Sequence, residues 1–262
     1  MSVAAAVLAA AGSLVGLLNI GSVYGREAAA FVEQAIAQDL VNLAVITPAT
    51  VILALLALRG SRAAHLAWLG VVAFTVYNYV IYTLSIHVGP LYLAWIAVLG
   101  LSLFALIGGL TPARIRDRIP VTEVWRAATG WYLVIIAVLF AGLWLADIVP
   151  AVLTGEVPAG ARDLELPSNP VHVLDLAFYL PAALAAGVLL LRDNAWGHAT
   201  APGLLIFLAL TGLPILLTPF VAAARGGHRV WPVLVPITVI TLASLTLALR
   251  MLGAARQRTP GR

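Results

Sequence analysis

Apolar residues run along this chain in long stretches separated by short polar segments. A helix that crosses a bilayer needs about 20 mainly apolar residues, because the hydrocarbon core is about 30 Å thick. Eight stretches meet that requirement, near 3–22, 39–58, 64–86, 89–110, 129–149, 170–191, 201–222 and 230–251. Helices are the expected form, since open strands leave backbone groups unsatisfied in lipid. The first run is read as a retained helix, because no basic residue precedes it as in a cleaved signal. The pattern predicts an all-α, polytopic membrane helix bundle of about 8 transmembrane helices.

Between the runs, residues 23–38 carry Ala28, Phe31, Val32 and Ala35 at helical spacing beside Glu27, Glu33 and Gln34. That predicts a short helix lying at the outer interface. Residues 151–169, with Gly155, Pro158, Gly160 and Pro167, read as irregular loop. The basic segment from Thr111 to Pro120 reads first as an orientation signal and second as an anionic-lipid contact.

Composition agrees with this reading. Only 10% of the 262 residues are charged and mean hydropathy is +1.03, whereas soluble domains carry about 25% charged residues. This excludes a cytosolic enzyme, a nucleic-acid binder of the usual kind and a disordered chain. Cysteine is absent, which removes disulfides and thiolate sites. Lysine is absent as well, so a retinal-type Schiff base has no amine to form on.

With both termini cytoplasmic, inside segments hold eleven arginines and outside segments four (Arg26, Arg162, Arg225 and Arg229). The positive-inside rule expects that bias. All seven tryptophans fall near predicted helix ends, where an interfacial belt would place them. The expected location is the inner (plasma) membrane, with the lipid bilayer as partner.

Shifting the chain by 133 positions superposes the second run on the sixth without a gap. Pro48 falls on Pro181, Arg59 on Arg192, His65 on His198, Gly70 on Gly203 and Phe74 on Phe207. Coincident Pro, Arg, His and Gly predict two tandem four-helix halves, 1–128 and 129–262. Such a 4+4 parallel repeat has its pseudo-two-fold axis along the membrane normal. Shared helix-end rules are the competing explanation.

Ionisable groups inside a bilayer are expensive and point to function. Asp39 and Asn42 fall in the first turn of the second run, and the shift places them on His172 and Asp175. Each pair is three apart and shares a helix face. Asn78 and Tyr82 share a face of the third run, and Tyr179 follows Asp175 by one turn. These seven are the candidate ligand-binding residues, lining an outward-open pocket in which Asp39/Asn42 faces His172/Asp175.

Other roles compete for each residue. Asp39 and Asp175 also suit helix N-termini, Tyr82 an outer aromatic belt and Asn78 an interhelical hydrogen bond. His87, beside a Gly89-Pro90 turn, reads as interfacial. His172, Asp175, Asp39 and His87 together would make a divalent-metal set, while no organic cofactor is expected. Neither His-Glu-x-x-His nor Gly-x-Ser-x-Gly occurs.

The segments Gln38-Asp39-Leu40-Val41, Arg59-Gly60-Ser61, Tyr77-Asn78-Tyr79 with Tyr82, and Asn169-Pro170 through Leu176 resemble motifs of uncharacterised bacterial multi-pass membrane proteins. The resemblance covers residues 38 to about 205. It implies that these polar segments recur, and it brings no assigned activity. A lysine-free composition also fits a GC-rich bacterial source. The functional expectation is therefore an outward-facing polar pocket that binds or transports a small molecule or lipid. The alternative is a membrane-embedded enzyme acting at the outer leaflet, with Asp175 or Asp39 as general acid/base and His172 as its partner or a metal ligand.

Overall fold

The computed structural model describes residues 1–110, 118–226 and 231–256. The basic segment with Arg114 and Arg116, the outer Arg229, and Arg258 and Arg262 lie outside the described residues. Among the described residues there is no strand. We number the long helices α1 (Ser2–Leu18), α2 (Ala29–Leu58), α3 (Arg62–Ser85), α4 (Tyr92–Gly109), α5 (Glu123–Thr154), α6 (Pro170–Leu191), α7 (Ala195–Ala224) and α8 (Leu234–Arg256). Seven of them, α2 to α8, are long and apolar enough to cross a membrane, α8 together with the turn that precedes it. The chain is a multi-pass membrane protein by helix length and composition.

The expected eighth span is α1, and it is shorter than predicted. At 17 residues it reaches about 26 Å at 1.5 Å per residue. Asn19 ends it with a non-helical backbone, and its N–H bonds back to the Val15 carbonyl. The larger departure concerns residues 23–38. No separate interfacial helix lies there, because α2 starts at Ala29 and continues, through one π-helical turn, to Leu58. Asp39 and Asn42 therefore sit mid-helix, not in a first turn. Gln34, Gln38 and Asn42, at i, i+4 and i+8, share one polar stripe, of which Gln38 and Asn42 are buried and Gln34 is exposed. Residues 151–169 are less irregular than expected: α5 extends to Thr154, and Ala159–Arg162 forms one further helical turn.

Large apolar side chains point outward all around the bundle, including Ile52 and Leu55 on α2, Phe104 and Ile107 on α4, Ile135 and Val138 on α5, and Leu242 and Leu249 on α8. In water such a surface would drive association; in lipid it is the solvated face.

Two helices share an unusual interruption. Residues Asn42–Ile46 of α2 and Asp175–Tyr179 of α6 are π-helical turns. Each directly precedes a residue–proline pair, Thr47-Pro48 and Leu180-Pro181. A proline ring in a helix collides with the carbonyl four residues back and offers no N–H to it. Here those carbonyls belong to Ala44 and Ala177, inside the widened turns, and π-bulges relieve this kind of conflict. The two turns are 133 residues apart.

The hairpins that follow are also alike. α2 ends at Arg59, the chain passes Gly60 with φ +89°, and the Ser61 side chain caps α3. α6 ends at Arg192, the chain passes Asp193 with φ +52°, and the Asn194 side chain caps α7.

The first four helices pack on one another, with α1 against α2 and α4, and α3 against α2 and α4. Among the last four, α5, α6, α7 and α8 pack in chain order. The groups meet mainly through α3 and α7. Gly70 of α3 lies against Gly203 of α7, and the Phe74 and Phe207 rings meet edge to face at 5.8 Å. Because the paired numbers rise together, α3 and α7 run parallel at this contact.

Candidate functional site

Between these helices, toward the end of the bundle that carries the 155–169 loop, lies a cavity of about 450 Å³. Its walls come from the start of α2 (Phe31, Gln34, Gln38), the second half of α3 (Phe74, Tyr77, Asn78, Tyr82) and the middle of α7 (Thr211, Pro214, Ile215). Trp144 of α5 and the first turn of α6 (Pro170, Val171, His172) close the other side. Five lining pairs are 133 positions apart: Phe31 and Leu164, Gln38 and Val171, Asn78 and Thr211, Ile81 and Pro214, and Tyr82 and Ile215.

The two carboxylates stand behind this wall. Asp39 accepts hydrogen bonds from the Tyr24 hydroxyl at 2.7 Å and the Tyr82 hydroxyl at 3.1 Å. Gly16 of α1 leaves room for it, since a Cβ there would fall 2.6 Å from the carboxylate. Asp175 accepts from the Tyr77 hydroxyl at 3.0 Å and the Trp144 indole N–H at 2.9 Å. A carboxylate in an apolar interior is stable only with such donors. Each acid thereby fixes an aromatic side chain that faces the cavity: Asp39 fixes Tyr82, while Asp175 fixes Tyr77 and Trp144.

This corrects three expectations. Asp39/Asn42 and His172/Asp175 do not face each other across an open pocket. Asn42 turns toward α1, where its amide donates to the Ser13 hydroxyl at 3.2 Å, and it accepts from Gln38 at 2.9 Å. Neither acid caps a helix: Asp39 lies mid-helix, and Asn169, six residues before Asp175, is the residue that caps α6. Tyr82 and three tryptophans are not belt residues. Tyr82 and Trp95 are buried in contact with each other. Trp68 donates to Ser2 at 3.2 Å, and Trp144 serves Asp175.

Tyr179 lies off the cavity, with its ring stacked on Phe207 at 4.4 Å. His87 is exposed and pairs with Glu27 at 3.0 Å. The four residues considered as a metal set are thus dispersed. Among the described residues no group of three or more His, Asp or Glu side chains is placed to hold a metal ion.

Three expected residues, Asn78, Tyr82 and His172, do line the cavity, and two of them are in an unusual state. Asn78 is 6% exposed and its Nδ2 has no hydrogen-bond partner, so it is not the interhelical link its type suggests. His172 is 5% exposed and stacks on Trp144 with ring centroids 4.3 Å apart. Its Nδ1 also lacks a hydrogen bond; the nearest carboxylate oxygen, Asp147 Oδ2, is 3.7 Å away and accepts from the Gly160 N–H instead. Buried polar atoms are nearly always satisfied; these two, on opposite sides of the cavity, are neither bonded nor accessible from it.

No family model, curated protein or solved structure matches this chain. No residue role is therefore carried in from a relative.

Sequence reasoning missed Gln34, Gln38, Tyr77, Trp144 and Thr211 as wall residues. The first two carried a readable signal, since polar side chains every fourth residue ahead of an apolar run mark one helix face. Trp144 carried none, because an indole near a helix end looks the same whether it faces lipid headgroups or a buried acid.

At the opposite, arginine-rich end, the interactions are structural. Arg126 donates to the Leu190 and Leu191 carbonyls at 2.8 and 2.6 Å, closing the C-terminus of α6. Arg250 lies over the Trp125 ring at 4.9 Å. Asp193 pairs with Arg118 and accepts from His198 at 2.8 Å. That hydrogen bond, with help from Arg118, holds the Asp193 carboxyl below the usual carboxylate range.

Proposed function

We propose that this protein is an inner-membrane protein whose largely apolar cavity, with a few polar side chains in its walls, binds or moves a small molecule or lipid. The observation that carries the reading is a cavity of about 450 Å³ walled by Phe31, Phe74, Tyr77, Tyr82 and Trp144, with Gln38, Asn78 and His172 among its lining residues. That volume lies within the range of small-molecule sites, about 300–1,000 Å³, and the mix of aromatic walls with few polar groups is typical of them.

The reading includes eight spans with both termini cytoplasmic, α1 being the eighth. The positive-inside bias supports this orientation, and under it the cavity lies in the outer half of the membrane. It also includes a parallel 4+4 repeat. In support stand the π-helical turns 133 residues apart, the contacts of Gly70 with Gly203 and Phe74 with Phe207, and the five matched pairs around the cavity. A ligand site on the axis between repeats is a common transporter arrangement.

The test is retention of a bound molecule by gently purified protein, read by native mass spectrometry, against Thr211→Trp, which fills the cavity. Wild type should release a molecule that the filled variant lacks. A variant that retains the same molecule, or a wild type that carries none, rejects the reading.

A further inference from the structure

We infer that a second site, a groove between α4 and α6 floored by α3 and α7, holds an acyl chain of an anionic phospholipid. The groove has a volume of about 390 Å³ and shares no lining residue with the cavity described above. Its floor is the contact of Gly70 with Gly203, and Leu106 and Leu110 of α4 face Ala182, Ala185 and Leu189 of α6 across it. Leu110, Ala182, Ala185 and Trp196 are exposed, so the groove opens to the lipid-facing surface.

The matching place in the first four helices is closed. Ala186 and Ala199 line the groove, and 133 positions earlier stand Leu53 and Leu66, which pack in the core. There α8 also packs against α3, whereas α4 stands off α7. Small side chains and a displaced helix thus keep open on one side a space that is filled on the other.

The walls select a hydrocarbon. Apart from Trp196 at the rim, Thr200 is the only polar side chain among the described lining residues, and its hydroxyl donates to the Trp196 carbonyl at 2.8 Å. A polar molecule would find no partner there. A partner helix is too thick to enter, since one turn about 10 Å across fills about 420 Å³. An extended chain fits in length. From Trp196 to Phe207 the α7 wall covers about 17 Å at 1.5 Å per residue, and one leaflet contributes about 15 Å of the hydrocarbon core.

Charge then selects the headgroup. The rim residues Leu189 and Trp196 flank the turn in which Asp193 pairs with Arg118. Arg192 is exposed in the same turn, and Arg126 binds the carbonyls that end α6. Against these three arginines stand two acids, Asp193 and Glu123. A net positive rim with an interfacial indole suits an anionic headgroup.

The test loads full-length purified protein with an equimolar mixture of dioleoyl phosphatidylglycerol and dioleoyl phosphatidylcholine and weighs the retained lipid by native mass spectrometry. Phosphatidylglycerol should be favoured about fivefold, the factor for one basic side chain near an anionic lipid. Ala182→Phe with Ala185→Phe fills the groove from exposed positions and should remove most of that lipid. Where this variant unfolds early, Ala185→Ile, which copies Ile52 from 133 positions away, should lower retention in the same direction. Arg118→Gln should reduce the preference and keep the lipid. Val138→Phe, on the outward face of α5, and Thr211→Trp, in the other cavity, should change neither. Equal retention of the two lipids, undiminished retention in the filled variants, or an equal loss in Val138→Phe would overturn the inference.

Discussion

Gly70 and Gly203 touch backbone to backbone, and the contact is lopsided. A Cβ on Gly70 would lie 2.3 Å from the Gly203 carbonyl oxygen, whereas one on Gly203 would lie 3.4 Å from its nearest neighbour, the Gly70 nitrogen. Gly70→Ala must therefore push α3 and α7 apart, at about 1–3 kcal/mol for an overpacked contact. Gly203→Ala meets only ordinary van der Waals contact and gains helix propensity. Thermal unfolding in detergent should show a clear loss for the first and little change for the second. Equal losses would mean that the two helices meet differently.

Asp39 is the acceptor for two buried tyrosine hydroxyls. Asp39→Leu strands the Tyr24 hydroxyl, at about 1–3 kcal/mol, and leaves the Tyr82 hydroxyl only the Ala35 carbonyl at 3.4 Å. Adding Tyr24→Phe and Tyr82→Phe removes the stranded donors and should recover much of that loss. Comparing the unfolding midpoints of the single and triple variants checks it; a triple variant as unstable as the single one would contradict the pairing.

Asn78 has the opposite profile. Its unpaired amide destabilises the resting protein by about 1–3 kcal/mol, so Asn78→Leu should unfold at the same temperature or a few degrees higher. A lower midpoint would show that the amide already holds a structural bond.

Asp193 provides the pH dependence. Its carboxyl is held low by the His198 hydrogen bond and Arg118, so the unfolded chain takes up a proton first as pH falls. The stabilisation is present above the unfolded value of about 3.9 and disappears as pH drops through the lower folded value. Stability should decline below about pH 4, more steeply in wild type than in Asp193→Asn. Asparagine tolerates the left-handed backbone at this turn, so the comparison isolates the charge. Parallel pH profiles for the two proteins would remove Asp193 from the account.

Much of the architecture was legible because lipid imposes a strict length and polarity rule. Residues 170–191 were bounded as found, since Asn169-Pro170 starts that helix and Arg192 ends it. The start of α2 was misread because Glu33, Gln34 and Gln38 look like interface residues when the only alternative considered is lipid. Two of them, Gln34 and Gln38, in fact line the cavity between the helices. His172 and Asn78 were found because polar groups within spans are rare. Their relation to Asp39 and Asp175 was not legible, because which donors a buried acid meets depends on how helices rotate against each other.

That rotation is set in part by the π-helical turns. Each holds one residue more than an α-helical turn would, which offsets the preceding segment by about 100° from the one after it. A chain one residue shorter within 42–46 would keep its apolar length and still cross lipid. It would also swing Asp39 away from Tyr24 and Tyr82, and with them the tyrosine that faces the cavity. In α2 and α6, therefore, a single deletion should do more harm than most substitutions, because the spacing of residues there carries information that their identity does not.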